Sequence, residues 1–149
     1  MTTPTAVDTS APVVAHHEVD ISAPLDTVWQ LHIDVNSWPS WQQAITEAQM
    51  DGVFEPGNSF SWSSYGFAVT SHIYEVKDHS RTLWGGTAGG ITGVHEWLFQ
   101  ETDDGVRVST NESFAGDPVS ADVDGMQGQL DASLVAWLEY LKSAADAGS

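Results

Sequence analysis

The chain has 149 residues, with four Lys and Arg against 21 Asp and Glu and no Cys. That length accommodates one domain with a core of its own, and a formal net charge of −17 argues against nucleic acid and anionic membrane as partners, since both need basic patches. Without Cys there are no disulfides, no thiolate chemistry and no Cys-based zinc site.

Residues 1–12 are rich in Thr, Ala, Ser and Pro and lack both a basic stretch and an apolar run, so they are expected to form a flexible N-terminal tail and not a signal peptide. A single domain over residues 13–145 follows. No apolar run is long enough to span a membrane, and a cytoplasmic location is the default expectation. Residues 13–21 alternate, with Val13, Ala15, His17, Val19 and Ile21 on one face, the pattern of a half-buried strand. Ser22 is a candidate N-cap for a helix running to about residue 35, with Pro24 in its first turn and Val28, Trp29 and Ile33 in its buried stripe. Asn36-Ser37-Trp38-Pro39 is expected to break it before a short second helix over 40–44.

Strands follow at 45–53, 59–63, 67–76 and 81–87. They are separated by turns at Glu55-Pro56-Gly57-Asn58, Tyr65-Gly66 and Asp78-His79-Ser80. A hairpin then spans residues 94–114. Its first arm puts His95, Trp97 and Phe99 on one face, and its second puts Val106, Val108, Thr110, Glu112 and Phe114 on one face. These faces look inward, so two ionisable groups lie among bulky hydrophobes, where a charge is costly unless paired. With Asp103-Asp104 as the loop, His95 faces Glu112 directly. With Asp104-Gly105, Trp97 faces Glu112 and His95 becomes its diagonal neighbour. Both registers keep the pair within reach. From Asp117-Pro118 a long helix is expected, with Val119, Val123, Met126, Leu130, Leu134, Trp137 and Leu141 as an amphipathic stripe. Gly125 and Gly128 weaken its first half, either loosening the helix start or making room beneath it.

The order of elements defines an α+β domain, a curved antiparallel sheet of about seven strands around a long C-terminal helix, with two short helices after the first strand. A sheet curled around one helix leaves a cavity between them. Seven Trp suit either a large core or an aromatic-lined pocket there.

The chain resembles the START-related SRPBCC superfamily, the helix-grip fold, and within it the polyketide cyclase/dehydrase branch. Val19-Asp20-Ile21-Ser22-Ala23-Pro24 with Val28-Trp29 is similar to the first-strand and first-helix signature, and Asp34 through Trp38-Pro39-Ser40-Trp41 to the Asp…Trp-Pro-x-Trp stretch. Phe60-Ser61-Trp62, Trp84-Gly85, His95-x-Trp97-x-Phe99 and Glu112-Ser113-Phe114-x-Gly116 match later strands, so that the resemblance runs from Val13 to Leu141. It implies a deep cavity for a hydrophobic small molecule. Known members include polyketide aromatase/cyclases of secondary metabolism as well as non-catalytic lipid carriers.

By strand parity the inward polar residues are His17, Ser71, His95, Thr110 and Glu112, with Tyr65 at the cavity rim. There is no metal-ligand cluster, no phosphate loop and no G-x-S-x-G elbow, so the expected chemistry is cofactor-free proton transfer. Here Glu112 and His95 would be the catalytic pair, acting on an enolisable ketone as aldol cyclisation or dehydration requires. Desolvation raises the pKa of Glu112 and a protonated His95 would lower it again. Trp62, Trp84 and Trp97 are candidate flat walls for the ligand, with Phe114 and, from the helix, Met126. Trp84 and Trp97 equally suit a plain core, and His95 and Glu112 a structural pair. His72 and His79 are expected to be solvated. The expected partner is a hydrophobic small molecule, bound by a monomer or homodimer.

Overall fold

The computed structural model describes residues 3–64 and 66–148. Strand β1 (Val13–Ile21) leads into helix α1 (Leu25–Ile33) and a 3-10 helix (Val35–Ser40). Strands β2 (Ile45–Gln49), β3 (Ser59–Ser64), β4 (Phe67–Lys77), β5 (Arg81–Ala88), β6 (Ile91–Thr102) and β7 (Gly105–Ala115) follow, and the chain ends in helices α2 (Asp117–Ser120) and α3 (Val123–Gly148). The seven strands form one antiparallel sheet in the order β1-β7-β6-β5-β4-β3-β2. The first strand therefore lies beside the last, and the consecutive hairpins carry the sheet around α3, which runs closest to β1. This is the helix-grip architecture.

Local chemistry moves three boundaries away from the sequence expectation. Helix α1 is capped by Pro24 with no side-chain bond, so Ser22 is not its cap. The second helix covers residues 35–40, across the expected break, and not 40–44. Trp38 is the reason: it is fully buried, and its indole donates to the His32 carbonyl (3.0 Å), pulling that segment into a tight turn. A 3-10 turn also tolerates Pro39. Strand β2 stops at Gln49, where Asn36 takes over the backbone of Met50 through two side-chain bonds of 2.9 and 3.1 Å.

The expected long C-terminal helix is two helices. Asp122 accepts from the Gly125 N–H (3.1 Å), an N-cap that starts α3 afresh. A Cβ at Gly125 would meet the same carboxylate, so a larger residue there would require the Asp122 side chain to shift. The restart turns Val123 outward, 37% exposed. The stripe that faces the sheet is instead Leu130, Leu134, Trp137, Leu138, Leu141 and Ala145, with Met126 half-buried at its start.

Residues 3–12 lie against the outer face of the sheet, where the Thr5 carbonyl accepts from Arg81 (2.9 Å) and the Asp8 N–H donates to Ser113 (3.1 Å). His79 is not simply solvated as expected. Its φ is 59°, it stacks on Trp29 (5.3 Å), and its two ring nitrogens bond Asp78 and Asp26, both at 2.8 Å. The bond to Asp26 raises its pKa. The clamp between the β4–β5 turn and α1 is therefore complete below the ordinary His value and is lost as pH rises through the raised one. An NMR titration should place His79 above 6.5 and return it towards that value in Asp26→Asn. An unshifted His79 in the wild type would contradict the clamp.

Candidate functional site

The β6–β7 hairpin decides the site. Thr102 pairs with Gly105, so Asp103-Asp104 is the loop and His95 lies directly opposite Glu112. Ala15 of β1 flanks Glu112 on the other side, and Trp84 of β5 flanks His95. The His95 Nδ1 lies 3.6 Å from a Glu112 carboxylate oxygen, beyond a direct hydrogen bond.

The tautomer of His95 follows from Thr110. The Thr110 hydroxyl donates to the Glu96 carbonyl (3.0 Å) and has only one hydrogen. At 2.7 Å from His95 Nε2 it must therefore accept, so Nε2 carries the proton and the bare Nδ1 faces Glu112. Burial holds the His95 pKa well below 6.5, with the nearby His32 adding to the effect. The imidazole is neutral, and the protonated His95 that would have lowered Glu112 is absent. Desolvation therefore prevails at Glu112, pushing its carboxyl up to about 8. At neutral pH the pair is a carboxylic acid beside a neutral imidazole, with 14% of the acid's side chain still open.

The surroundings are rings where a cavity was expected. His95 packs against Trp84 (4.7 Å), Trp97 (5.1 Å) and Trp137 (5.6 Å). Trp137, reaching down from α3, also meets Trp38, Trp62, Trp84 and Trp97 at 5.5–6.1 Å. Because α3 runs closest to β1, the wider gap over β4–β6 is filled by these long side chains. Two surface hollows of about 360 and 340 Å³ lie elsewhere, one between Pro24 and the β6–β7 turn, the other on the outer face beside Arg81 and Arg107.

The structure places Trp84, Trp97, Thr110 and Ser71 in the fully buried interior, and Trp62 half-buried with its indole donating to Ser71 (3.0 Å). Phe114 and Met126 pack together in a second cluster with Val13, Ala15, Val119, Leu130 and Leu134. Gly93, on the inward face of β6, lies between the two groups: a Cβ there would meet Phe114 at 3.3 Å and Glu112 at 3.6 Å. His17 is turned to α3 and bonds Asp131 (2.8 Å). Tyr65 lies outside the described residues.

His32 was not singled out in the sequence. It is 1% exposed, bonds Thr82 (2.8 Å), and burial lowers its pKa to about 3. Its ring and that of His95 both contact Trp97, at 5.0 and 5.1 Å. The signal was present, since His32 falls three and four residues after Trp29 and Val28 on the same helical stripe. Among the described residues, no three His, Cys, Asp or Glu are grouped to hold a metal ion.

A curled seven-stranded antiparallel sheet gripping a long C-terminal helix, with ionisable groups set in its aromatic interior, defines a START-like, SRPBCC-type protein. The family model described as polyketide cyclase/dehydrase and lipid transport matches residues 12–146, and the chain belongs to that family. No curated protein sequence matches it. Among solved structures it is similar to hypothetical protein jhp0584 of Helicobacter pylori, with a TM-score of 0.80 and 23% identity over 97% of this chain and 99% of that one. It is also similar to a START superfamily protein of Mycobacterium smegmatis, with a TM-score of 0.71 and 10% identity over 91% and 99% of the two chains. The di-domain ARO/CYC BexL from the BE-7585A biosynthetic pathway gives a TM-score of 0.74 and 16% identity over 92% of this chain and 52% of BexL. At these identities the likeness is one of fold. Among the described residues no helix is long and apolar enough to cross a membrane.

Proposed function

We propose that the protein is a cofactor-free cyclase, aromatase or dehydratase, a lyase of secondary metabolism acting on a hydrophobic aromatic ketone. The observation that carries this reading is the pairing of a neutral Glu112 acid with the bare Nδ1 of His95 at 3.6 Å. A carboxyl poised near 8 is protonated at neutral pH yet gives up its proton readily, the condition for general acid catalysis. In a dehydration, His95 Nδ1 takes the proton from the carbon beside the ketone, Glu112 protonates the departing hydroxyl, and water leaves. The imidazolium and carboxylate so formed then face each other, and return of one proton from Nδ1 to the carboxylate restores both. The surrounding indoles give the ligand flat surfaces that hold it in a folded shape. The family description and the ARO/CYC likeness of fold support the class.

The same description includes lipid transport, which favours a second reading as a non-catalytic carrier. Native mass spectrometry of freshly purified protein separates the two. A co-purified aromatic polyketide, converted on incubation, is the expected result. A bound lipid released unchanged would favour the carrier.

A further inference from the structure

Two indoles beside His95 have no acceptor for their N–H groups. Trp84 is 2% exposed and Trp97 is fully buried, yet neither Nε1 has a hydrogen-bond partner among the described residues. Indole N–H is a donor only, and a buried donor without an acceptor keeps its full desolvation cost. Their neighbours in the same aromatic cluster are satisfied: Trp38 donates to the His32 carbonyl and Trp62 to Ser71, each at 3.0 Å. The unmet donors thus fall on two rings packed against His95, at 4.7 and 5.1 Å. Trp41 also has an unmet N–H, but it lies just beyond the 3-10 helix, outside this cluster of ring contacts. A hydrocarbon chain would leave both N–H groups beside His95 as they are. A ligand bearing carbonyl or enol oxygens would satisfy them.

We propose that Trp84 and Trp97 donate their indole N–H groups to carbonyl oxygens of the ligand, so that the interior selects a cyclic ketone over a hydrocarbon of the same size. This rests on the reading that a hydrophobic small molecule enters between sheet and helix. Space for it comes from Trp137, the one ring of the cluster carried by α3, which covers Trp84 and Trp97 at 6.1 and 5.5 Å. The sheet rings sit on strands bonded on both sides, whereas Trp137 is carried by α3, whose side-chain bonds to the sheet, from Asp131 to His17 and from Gln127 to the Val14 carbonyl, lie on β1. The donors also serve the chemistry, because an N–H aimed at a ketone oxygen stabilises the enolate that forms when the neighbouring carbon loses its proton.

The test compares 1-tetralone with tetralin, the same bicycle without the oxygen, on protein carrying 15N at its seven indoles. Trp84→Phe and Trp97→Phe assign the two signals and remove one donor each while keeping a ring. In the wild type, 1-tetralone should bind about tenfold tighter than tetralin and shift the Trp84 and Trp97 signals. Each Phe variant should lose about three- to tenfold of that preference. Equal binding of the two probes by the wild type overturns the donor role and leaves the hydrophobic-ligand reading standing. Failure of both probes to perturb any interior indole overturns both. An ordered water bonded to both N–H groups and undisturbed by 1-tetralone also overturns the proposal. The wild-type comparison stands even if a Phe variant fails to fold.

Discussion

Glu112→Gln should make the protein more stable at pH 9 and leave its stability at pH 4 nearly unchanged. The folded carboxyl titrates at about 8 and the unfolded one near 4.5. Between those values the folded state holds a proton that the unfolded state has lost, so stability falls as pH rises through that window. At roughly 1.4 kcal/mol per pKa unit the loss is about 5 kcal/mol as an upper bound, and contact with solvent at the open 14% of the side chain brings it to about 2–4 kcal/mol. Gln keeps the shape and cannot ionise. Below the unfolded value the side chain is uncharged in both proteins. The buried histidines act in the opposite sense. His32 and His95 are held neutral, so their stability is full above 6.5 and is lost as pH falls, towards about 3 for His32. That acid-side slope is common to both proteins and cancels in the difference. Urea midpoints from pH 4 to 9 provide the measurement, and parallel curves for the two proteins would show that Glu112 is not desolvated. Under the proposed function the same substitution lowers turnover about 10²–10⁴-fold with little change in affinity. Unchanged turnover in both Glu112→Gln and His95→Ala would exclude the pair from catalysis.

Trp137→Ala should cost about 3–5 kcal/mol, a large share of the stability of a domain this size. The side chain is 5% exposed and meets five rings, those of Trp38, Trp62, Trp84, His95 and Trp97. Little nearby can collapse into its place, because four of these rings sit on hydrogen-bonded strands and the fifth, Trp38, is tied to the His32 carbonyl. Val135, two residues away but 45% exposed, is the control, and its replacement by Ala should stay within about 0.5 kcal/mol. Thermal or urea unfolding of both variants checks the contrast. A loss below about 1 kcal/mol for Trp137→Ala would mean that the ring does not hold helix to sheet.

The fold was legible in the sequence where a pattern has a fixed period. Alternation along residues 13–21 and 94–114 placed the strands and sorted their faces, because successive strand side chains point to opposite sides. Ranges blurred where a single contact outweighs the pattern. Trp38 burying its indole against His32 drew the 3-10 helix into an expected break, and Asp122 capping Gly125 cut one expected helix into two. His32 lies on the apolar stripe of α1, but the group that satisfies it, Thr82, is 50 residues away, so only the fold brings them together.

The candidate site divides along the same line. By itself the sequence determined that His95 and Glu112 share the inward face of one hairpin, since strand parity allows nothing else. Tertiary structure decided the rest. Pairing Thr102 with Gly105 selected one of two registers, and the bond from Thr110 to Glu96 set the His95 tautomer. Trp137 of α3 packs its ring against His95, and burial in the folded interior pushes the Glu112 carboxyl up to about 8. Parity is a local property of the backbone, whereas desolvation depends on which distant side chains pack over a group. The pair was therefore visible in the sequence, and its protonation only in the fold.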